Sequence, residues 1–281
     1  MDLIQLKTLS DLKNLKSSQP RQMIYFLAGG TDLMVQYKED LLQKDALLVD
    51  ISSLKELNFI KEENNRIRIG SLTTFTDILK NKVIKRHCEA LTSCAGQIGS
   101  LQIQNRATIG GNIANASPAG DSIPTLYVYR SMVKTNFGIY PVEKIFKGVK
   151  KTQLKKNECI LEIIIPKSIE KHRSFFFKSG PREALAISKA SLALKLSVEK
   201  SIIKEINIAA GAVGITVISC YKTGQYLTKK KINKEIIENA KRLISQEISP
   251  IDDFRSTALF RSNFVEESLS KALQSVLKKK S

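Results

Sequence analysis

The sequence has little histidine and little cysteine. Its 281 residues include two histidines, His87 and His172, and four cysteines, Cys88, Cys94, Cys159 and Cys220. No cysteine pair has C-x2-C spacing, and none stands in a histidine-rich stretch. That argues against a structural zinc site or an iron–sulfur cluster held by this chain. The four cysteines read as ordinary cytosolic thiols. His87 and Cys88 are adjacent, but sequence neighbours need not converge on a metal, and histidine-based triads find little support. No run of about 18 apolar residues is present, so no transmembrane helix is expected. Met1-Asp2-Leu3-Ile4-Gln5-Leu6-Lys7 has no basic-then-apolar signal pattern, so the expected location is the cytoplasm. There is no G-x-G-x-x-G fingerprint, no Walker lysine–serine pair, no internal repeat and no low-complexity segment.

Positive charge is what the chain has in excess, with a formal net charge of +18. Alone, that charge points to nucleic acid or an acidic partner. The lysines are dispersed, however, with mild clusters at residues 147–156, at Lys229-Lys230-Lys231 and at Lys278-Lys279-Lys280. No basic helix alternates with aromatic residues. The plain reading is a lysine-rich solvated surface, part of which could face acidic subunits or anionic cofactors.

The length implies two domains, the first of them subdivided. In the first segment, Ile24 to Leu27 reads as a strand turned by Gly29-Gly30. Thr31 or Asp32 can cap a helix through Leu33, Met34 and Tyr37, and residues 46–50 read as the next strand. Arg66-Ile67-Arg68-Ile69 alternates as a strand should, and Thr73 or Thr74, with Asp77, can cap the helix that follows. A further helix is expected over 89–96, and 160–165 is a β-branched run ending at Pro166. Beyond Arg173, residues 175–177, 186–198, 202–210 and 213–220 are candidate strands, and 232–244 and 265–277 candidate helices. Strands followed by helices indicate an α+β domain.

Two glycine-rich stretches carry the most information. The first is Phe26-Leu27-Ala28-Gly29-Gly30-Thr31-Asp32-Leu33. The second runs Ala107-Thr108-Ile109-Gly110-Gly111-Asn112 and continues through Asn115 and Ser117 to Asp121. Glycines let a backbone approach a ligand, and successive N–H groups can surround a phosphate oxygen. A Gly-Gly pair alone is equally a turn, and a structural loop could hold the polar residues of the second stretch. The pair suggests a split cradle for a large phosphate-containing cofactor. Asp121 suits a ribose or ribityl hydroxyl better than a diphosphate, since like charges repel.

On these residues the chain closely resembles the FAD-binding, or medium, subunit of the molybdenum hydroxylase family. That family includes xanthine dehydrogenase, nicotinate dehydrogenase and aerobic carbon monoxide dehydrogenase. The resemblance covers nearly the whole chain. It extends to Glu158–Pro166, to Lys178 and Arg182 as a Lys-x3-Arg motif, and to Asp253-Phe254-Arg255-Ser256 with Phe260-Arg261. It implies an α+β chain whose FAD-binding domain is of the vanillyl-alcohol-oxidase type. That domain spans residues 1–168, with subdomains of about 1–57 and 58–168, and a smaller α+β domain spans 172–281. Residues 26–33 would wrap the diphosphate and adenosine side of FAD, and 107–112 would reach its diphosphate and flavin end. Asn115, Ser117 and Asp121 would add polar contacts, and Ile98, Ile160 and Lys178 would also belong to the FAD site. Arg255 and Arg261 would support the C-terminal domain. The sequence departs from the family at Ser188-Lys189-Ala190 and Thr257, and in the short stretch from Val133 to Pro141. The four-cysteine insertion of the hydroxybenzoyl-CoA reductase branch is absent.

The implied function is electron transfer in a multisubunit dehydrogenase. A small iron–sulfur subunit carrying 2Fe–2S clusters would feed FAD on this chain, and NAD+ would be the acceptor. A molybdopterin-binding large subunit would oxidise xanthine, another purine or an N-heterocycle. The alternatives are a free-standing FAD oxidoreductase, or a basic nucleic-acid-binding protein recognisable by salt-dependent RNA binding without flavin.

Overall fold

A computed structural model describes residues 2–18, 23–180 and 187–278. Arg182 and the start of the 186–198 strand expectation lie outside the described residues. The chain opens with β1 (Asp2–Gln5), α1 (Leu9–Ser18), β2 (Ile24–Leu27), α2 (Leu33–Lys38) and β3 (Leu47–Asp50). These strands form a parallel sheet in the order β1-β3-β2, with Val49 level with both Ile4 and Phe26. Leu6, Leu12, Leu15, Ile24, Leu47 and Val49 close a small core beneath it.

The next unit runs β4 (Ile60–Glu62), β5 (Arg66–Gly70), α3 (Phe75–Lys80), α4 (Lys82–His87), α5 (Glu89–Ala95), α6 (Leu101–Gln104), α7 (Ile109–Asn115) and α8 (Ser122–Val128). It continues with β6 (Met132–Thr135), β7 (Ile139–Pro141), β8 (Phe146–Gly148), β9 (Lys151–Thr152) and β10 (Ile160–Pro166). Its sheet is antiparallel, in the order β4-β5-β10-β6-β7, and β8 and β9 pair apart as a hairpin. Alternation decides the faces: Ile67, Ile69, Ile163 and Ile165 point into the central core, while Arg66 is exposed. The second glycine stretch is not a loop but largely helix α7. Thr108 caps it by accepting a hydrogen bond from the Gly111 N–H, and Ile109 and Ile113 are fully buried. Cap and burial thus outweigh the poor helix propensity of the two glycines.

The last unit comprises β11 (Arg173–Ser179), β12 (Ala190–Glu199), β13 (Ile202–Gly211), β14 (Ile218–Ser219), α9 (Tyr221–Leu227), α10 (Lys234–Glu247) and α11 (Ala258–Lys278). Of the strand expected over 213–220, the structure retains only Ile218–Ser219, and α9 starts directly after it. The antiparallel sheet β11-β12-β13-β14 is covered on both faces. Leu192, Leu194, Ile206 and Ile208 pack with residues of α9, α10 and α11, whereas Phe176, Ala193 and Ala209 join the central core beside α5 and α8. A buried polar cluster seals that junction. Tyr129 Oη and Ser174 Oγ lie 2.6 Å apart, and the Ala90 N–H donates to both.

Residues 71–75 position α7. Ile109 N–H donates to Thr73 O, Gly110 N–H to Ser71 O, and Phe75 N–H to Ala107 O. Thr74 caps α3 in the same segment: its Oγ1 accepts the Asp77 N–H, and its own N–H donates to the Asp77 carboxylate. Replacing Thr74 with alanine should therefore cost about 1 kcal/mol of stability. Urea denaturation checks this, and an unchanged midpoint would contradict the role of the cap.

A candidate cofactor cleft between two glycine-rich segments

The end of β2 and the start of α7 face each other across a cleft of about 360 Å³ that opens to solvent. Of the residues expected from sequence, Phe26, Ala28, Gly29, Gly30, Thr31, Asp32, Leu33, Ala107, Thr108, Gly111, Asn112 and Asn115 line it. Leu27, Ile98, Ile109, Gly110, Ser117, Asp121, Ile160 and Lys178 do not.

The glycines serve different ends. A Cβ on Gly29 would collide with the carbonyl of Arg106, and one on Gly110 would sit 2.6 Å from the Ser71 Cβ. Both glycines therefore let two backbones touch. Gly30 turns the chain with φ +75°, a conformation that favours glycine. A Cβ on Gly111 would meet only the Thr108 hydroxyl, at 3.0 Å, so this glycine borders the cleft.

The resulting donor set suits an anion. The backbone N–H groups of Gly29, Gly30, Thr31, Asp32 and Leu33 have no acceptor among the described residues. A run of free N–H groups in a concave turn binds phosphate oxygens well. The two segments are also latched together. Asn115 Nδ2 donates to Asp32 Oδ1 at 2.9 Å, and Gln36 Nε2 donates to Asn115 Oδ1 at 3.3 Å.

Sequence reasoning missed a third wall. Lys150, Thr152, Leu154, Lys155, Lys156 and Glu158, from the β8–β9 hairpin and the loop after it, line the same cleft. The lysine cluster at 147–156 was the available signal, but it looks like ordinary solvated surface.

Several expected residues converge elsewhere. Lys178 Nζ lies 2.5 Å from Asp121 Oδ2 and donates to Gln97 O, next to Ile98, and Ser188 Oγ donates to the other oxygen of Asp121. Both oxygens of Asp121 thus have protein partners. Burial raises the Asp121 carboxyl above its usual range, against the pull of Lys178. Ile98 and Ile160 sit in the central core. Ser117 turns the chain, its Oγ accepting from the Ala119 N–H. The four cysteines are buried and free, and burial pushes the Cys88 and Cys159 thiols up to about 12. In the C-terminal unit, Arg261 donates to Ala212 O and Asp253 Oδ1, which ties α11 to the loop after β13, while Arg255 is exposed. No helix among the described residues is long and apolar enough to cross a membrane.

This geometry generates distinct expectations. Gly29→Ala should lower the melting temperature by several degrees, because overpacking against a backbone carbonyl cannot be relieved by a rotamer change. Gly111→Ala should melt close to the parent, since its neighbour is a movable hydroxyl. Equal melting of the two variants would contradict the distinction. Lys178→Met should cost about 3 kcal/mol near neutrality by leaving the Asp121 charge buried alone. The sign with pH follows. Without Lys178 the folded carboxyl rises further above its unfolded value of about 3.9, so the folded state binds more protons in the window above that value. The variant should lose stability as pH rises through the window and recover it on acidification, as urea melts across pH would show.

Comparison with known proteins fits the cleft. Residues 1–168 match the FAD binding domain of molybdopterin dehydrogenases, and residues 175–276 match the carbon monoxide dehydrogenase flavoprotein C-terminal domain. The chain is 29% identical over 272 residues to the xanthine dehydrogenase FAD-binding subunit of Escherichia coli O157:H7, covering 95% of this chain and 92% of that one. It is 30% identical over 254 residues to the glyceraldehyde dehydrogenase medium chain of Sulfolobus acidocaldarius, covering 89% of each. Its fold superposes on a chain of carbon monoxide dehydrogenase from Hydrogenophaga pseudoflava with a TM-score of 0.91, at 23% identity and covering 98% and 96% of the two chains. The free donors of residues 29–33 suit the diphosphate of FAD, and the chain belongs to the family of FAD-binding subunits of molybdenum hydroxylases, the xanthine-dehydrogenase-like flavoprotein oxidoreductases.

Proposed function

We propose that this chain is the FAD-carrying electron-transfer subunit of a molybdenum-containing dehydrogenase. Its donor is an iron–sulfur small subunit with 2Fe–2S clusters, and its acceptor is NAD+. A molybdopterin-binding large subunit oxidises xanthine, another purine or an N-heterocycle. Relatives named for xanthine, nicotinate and caffeine support that substrate class. The observation that carries the cofactor site is the run of five free N–H groups at Gly29–Leu33, inside a cleft walled by the second glycine segment.

These residues do defined work. The N–H groups of 29–33 hold the diphosphate oxygens, and Gly111 leaves room for the ligand beside the capped start of α7. Thr31, Thr108 and Asn112 offer side-chain hydrogen bonds, and the Asp32–Asn115–Gln36 latch keeps the two segments in register. We assign Ile98, Ile160, Asp121 and Lys178 to the ring end, with Ile109, Gly110 and Ser117 supporting the fold of the second segment. The convergence of Gln97, Asp121 and Lys178 from three distant stretches supports that assignment. FAD, when bound, supplies a centre that accepts electrons singly and releases them in pairs. The small parallel sheet beside a larger antiparallel one supports a vanillyl-alcohol-oxidase type of FAD domain, with boundaries near residues 57 and 168. The working location is the cytoplasm. The exposed apolar side chains Ile251, Phe254 and Leu259 support work within an assembly rather than alone.

The purified chain should carry one tightly bound FAD with absorption near about 450 nm. A folded chain that, after reconstitution, takes up no FAD or binds FMN as well would overturn the site. In the native complex, rapid mixing with substrate should show cluster reduction, then flavin bleaching, then NADH. Reduced clusters beside an oxidised flavin and no NADH would overturn the relay.

A further inference from the structure

The third wall of the cleft has properties that a solvated lysine cluster does not require. Lys150 stands at the turn between β8 and β9 with φ +52°, where glycine or asparagine rests more easily. Its N–H donates to Ala116 O at 3.0 Å, and Ala116, directly after α7, is also left-handed at φ +49°. The hairpin turn is thereby pinned to the end of the second glycine segment, and Lys150 is held at the cleft. Beyond β9 the path is fixed as well. Buried Glu158 accepts the Lys155 N–H at 3.0 Å and the Thr135 hydroxyl at 2.6 Å, which turns Lys156 onto the cleft.

The lysines of this wall are not equivalent. Lys155 Nζ rests over the Phe137 ring at 4.9 Å. Lys150 and Lys156 form no ion pair among the described residues, whereas Lys167, Lys178, Lys204 and Lys241 each have a carboxylate. Two exposed lysines without an ion pair thus line the same cleft as five backbone N–H groups without an acceptor.

We propose that Lys150 and Lys156 form a cationic rim that holds the diphosphate of FAD from the side opposite the chain's own backbone donors. The inference rests on the reading that this cleft takes FAD through residues 29–33. N–H groups of the turn orient the phosphate oxygens at short range, and the two ammonium groups add charge at longer range. Such exposed charges are screened by salt, so cofactor retention has a component that weakens with ionic strength.

Equilibrium FAD titration of the flavin-stripped full chain, followed by fluorescence, tests this at about 50 mM and about 500 mM salt. The parent chain should bind less tightly at high salt. The double variant Lys150→Gln/Lys156→Gln should bind about tenfold more weakly at low salt, converge on the parent at high salt, and so show a flatter salt dependence. Lys150→Arg/Lys156→Arg should keep the parent behaviour. Lys147→Gln, on the same hairpin but off the cleft, should leave affinity and slope unchanged. Circular dichroism melts confirm that each variant is folded. A double glutamine variant with parental affinity and slope overturns the inference while leaving the cleft reading intact. Failure of the parent chain to bind FAD overturns both.

Discussion

Two backbones pass within contact distance at Gly29 and again at Gly110, and the architecture of the cleft depends on that closeness. At Gly29 the first segment rests on the Arg106 carbonyl, and at Gly110 helix α7 rests on Ser71. Side chains at these points would push apart the small parallel sheet, the start of α7 and the end of β5. The cleft exists because these elements meet at their backbones below and diverge above. The bond from Asn115 to Asp32 then fixes how far they diverge.

The same economy of side chains governs the junction with the C-terminal unit. Ala193 and Ala209 leave room for α8 to lie against β12 and β13, while the alternate positions of those strands carry leucine and isoleucine towards α10 and α11. A sheet buried on both faces cannot separate from either layer without exposing apolar surface. Position relative to the middle unit matters, because Lys178 leaves β11 to neutralise Asp121 at the start of α8. A shift of the sheet would strand a buried carboxylate, and the cost of that charge adds to the cost of the exposed surface.

Much of this was legible in the sequence, and the failures share a cause. Strands β2, β3, β5 and β10 and the capping box at Thr74 follow from alternation, β-branching and local side-chain chemistry, all of which act within a few residues. The pairing of the two glycine stretches was also visible. The reason for Gly29 and Gly110 was not, because it lies in contacts with Arg106 and Ser71, and a sequence does not display which backbones touch. Helix α7 was hidden behind its glycines. It forms because Thr108 supplies a cap and Ile109 and Ile113 supply a buried face, and those tertiary gains exceed a propensity deficit of about 1 kcal/mol per glycine. Lys150 and Lys156 stand more than a hundred residues from the first segment, and the hairpin turn pinned on Ala116 and the Glu158 contacts after β9 bring them beside it. Tertiary contacts also decide the segment 213–220: Val213 is buried in the C-terminal core and Val217 in the central core while Ile215 is exposed, and only Ile218–Ser219 pairs with the sheet.

The free donors at this cleft are backbone N–H groups, and backbone donors cannot be tuned by substitution in the way side chains can. Glycines at the two contact points and a latch of Asp32, Asn115 and Gln36 set the donor geometry once and leave little for individual side chains to adjust. Adjustment is left to groups that stand outside this frame: lysines of the hairpin at one wall, and the Asp121–Lys178 pair away from the cleft. The first group changes charge near the mouth without altering the frame. The second is buried, so its balance of charge and desolvation is coupled to the seating of β11 against α8. The backbone frame therefore sets donor geometry at short range, while charge carried on separate elements acts at longer range and can change without disturbing that frame.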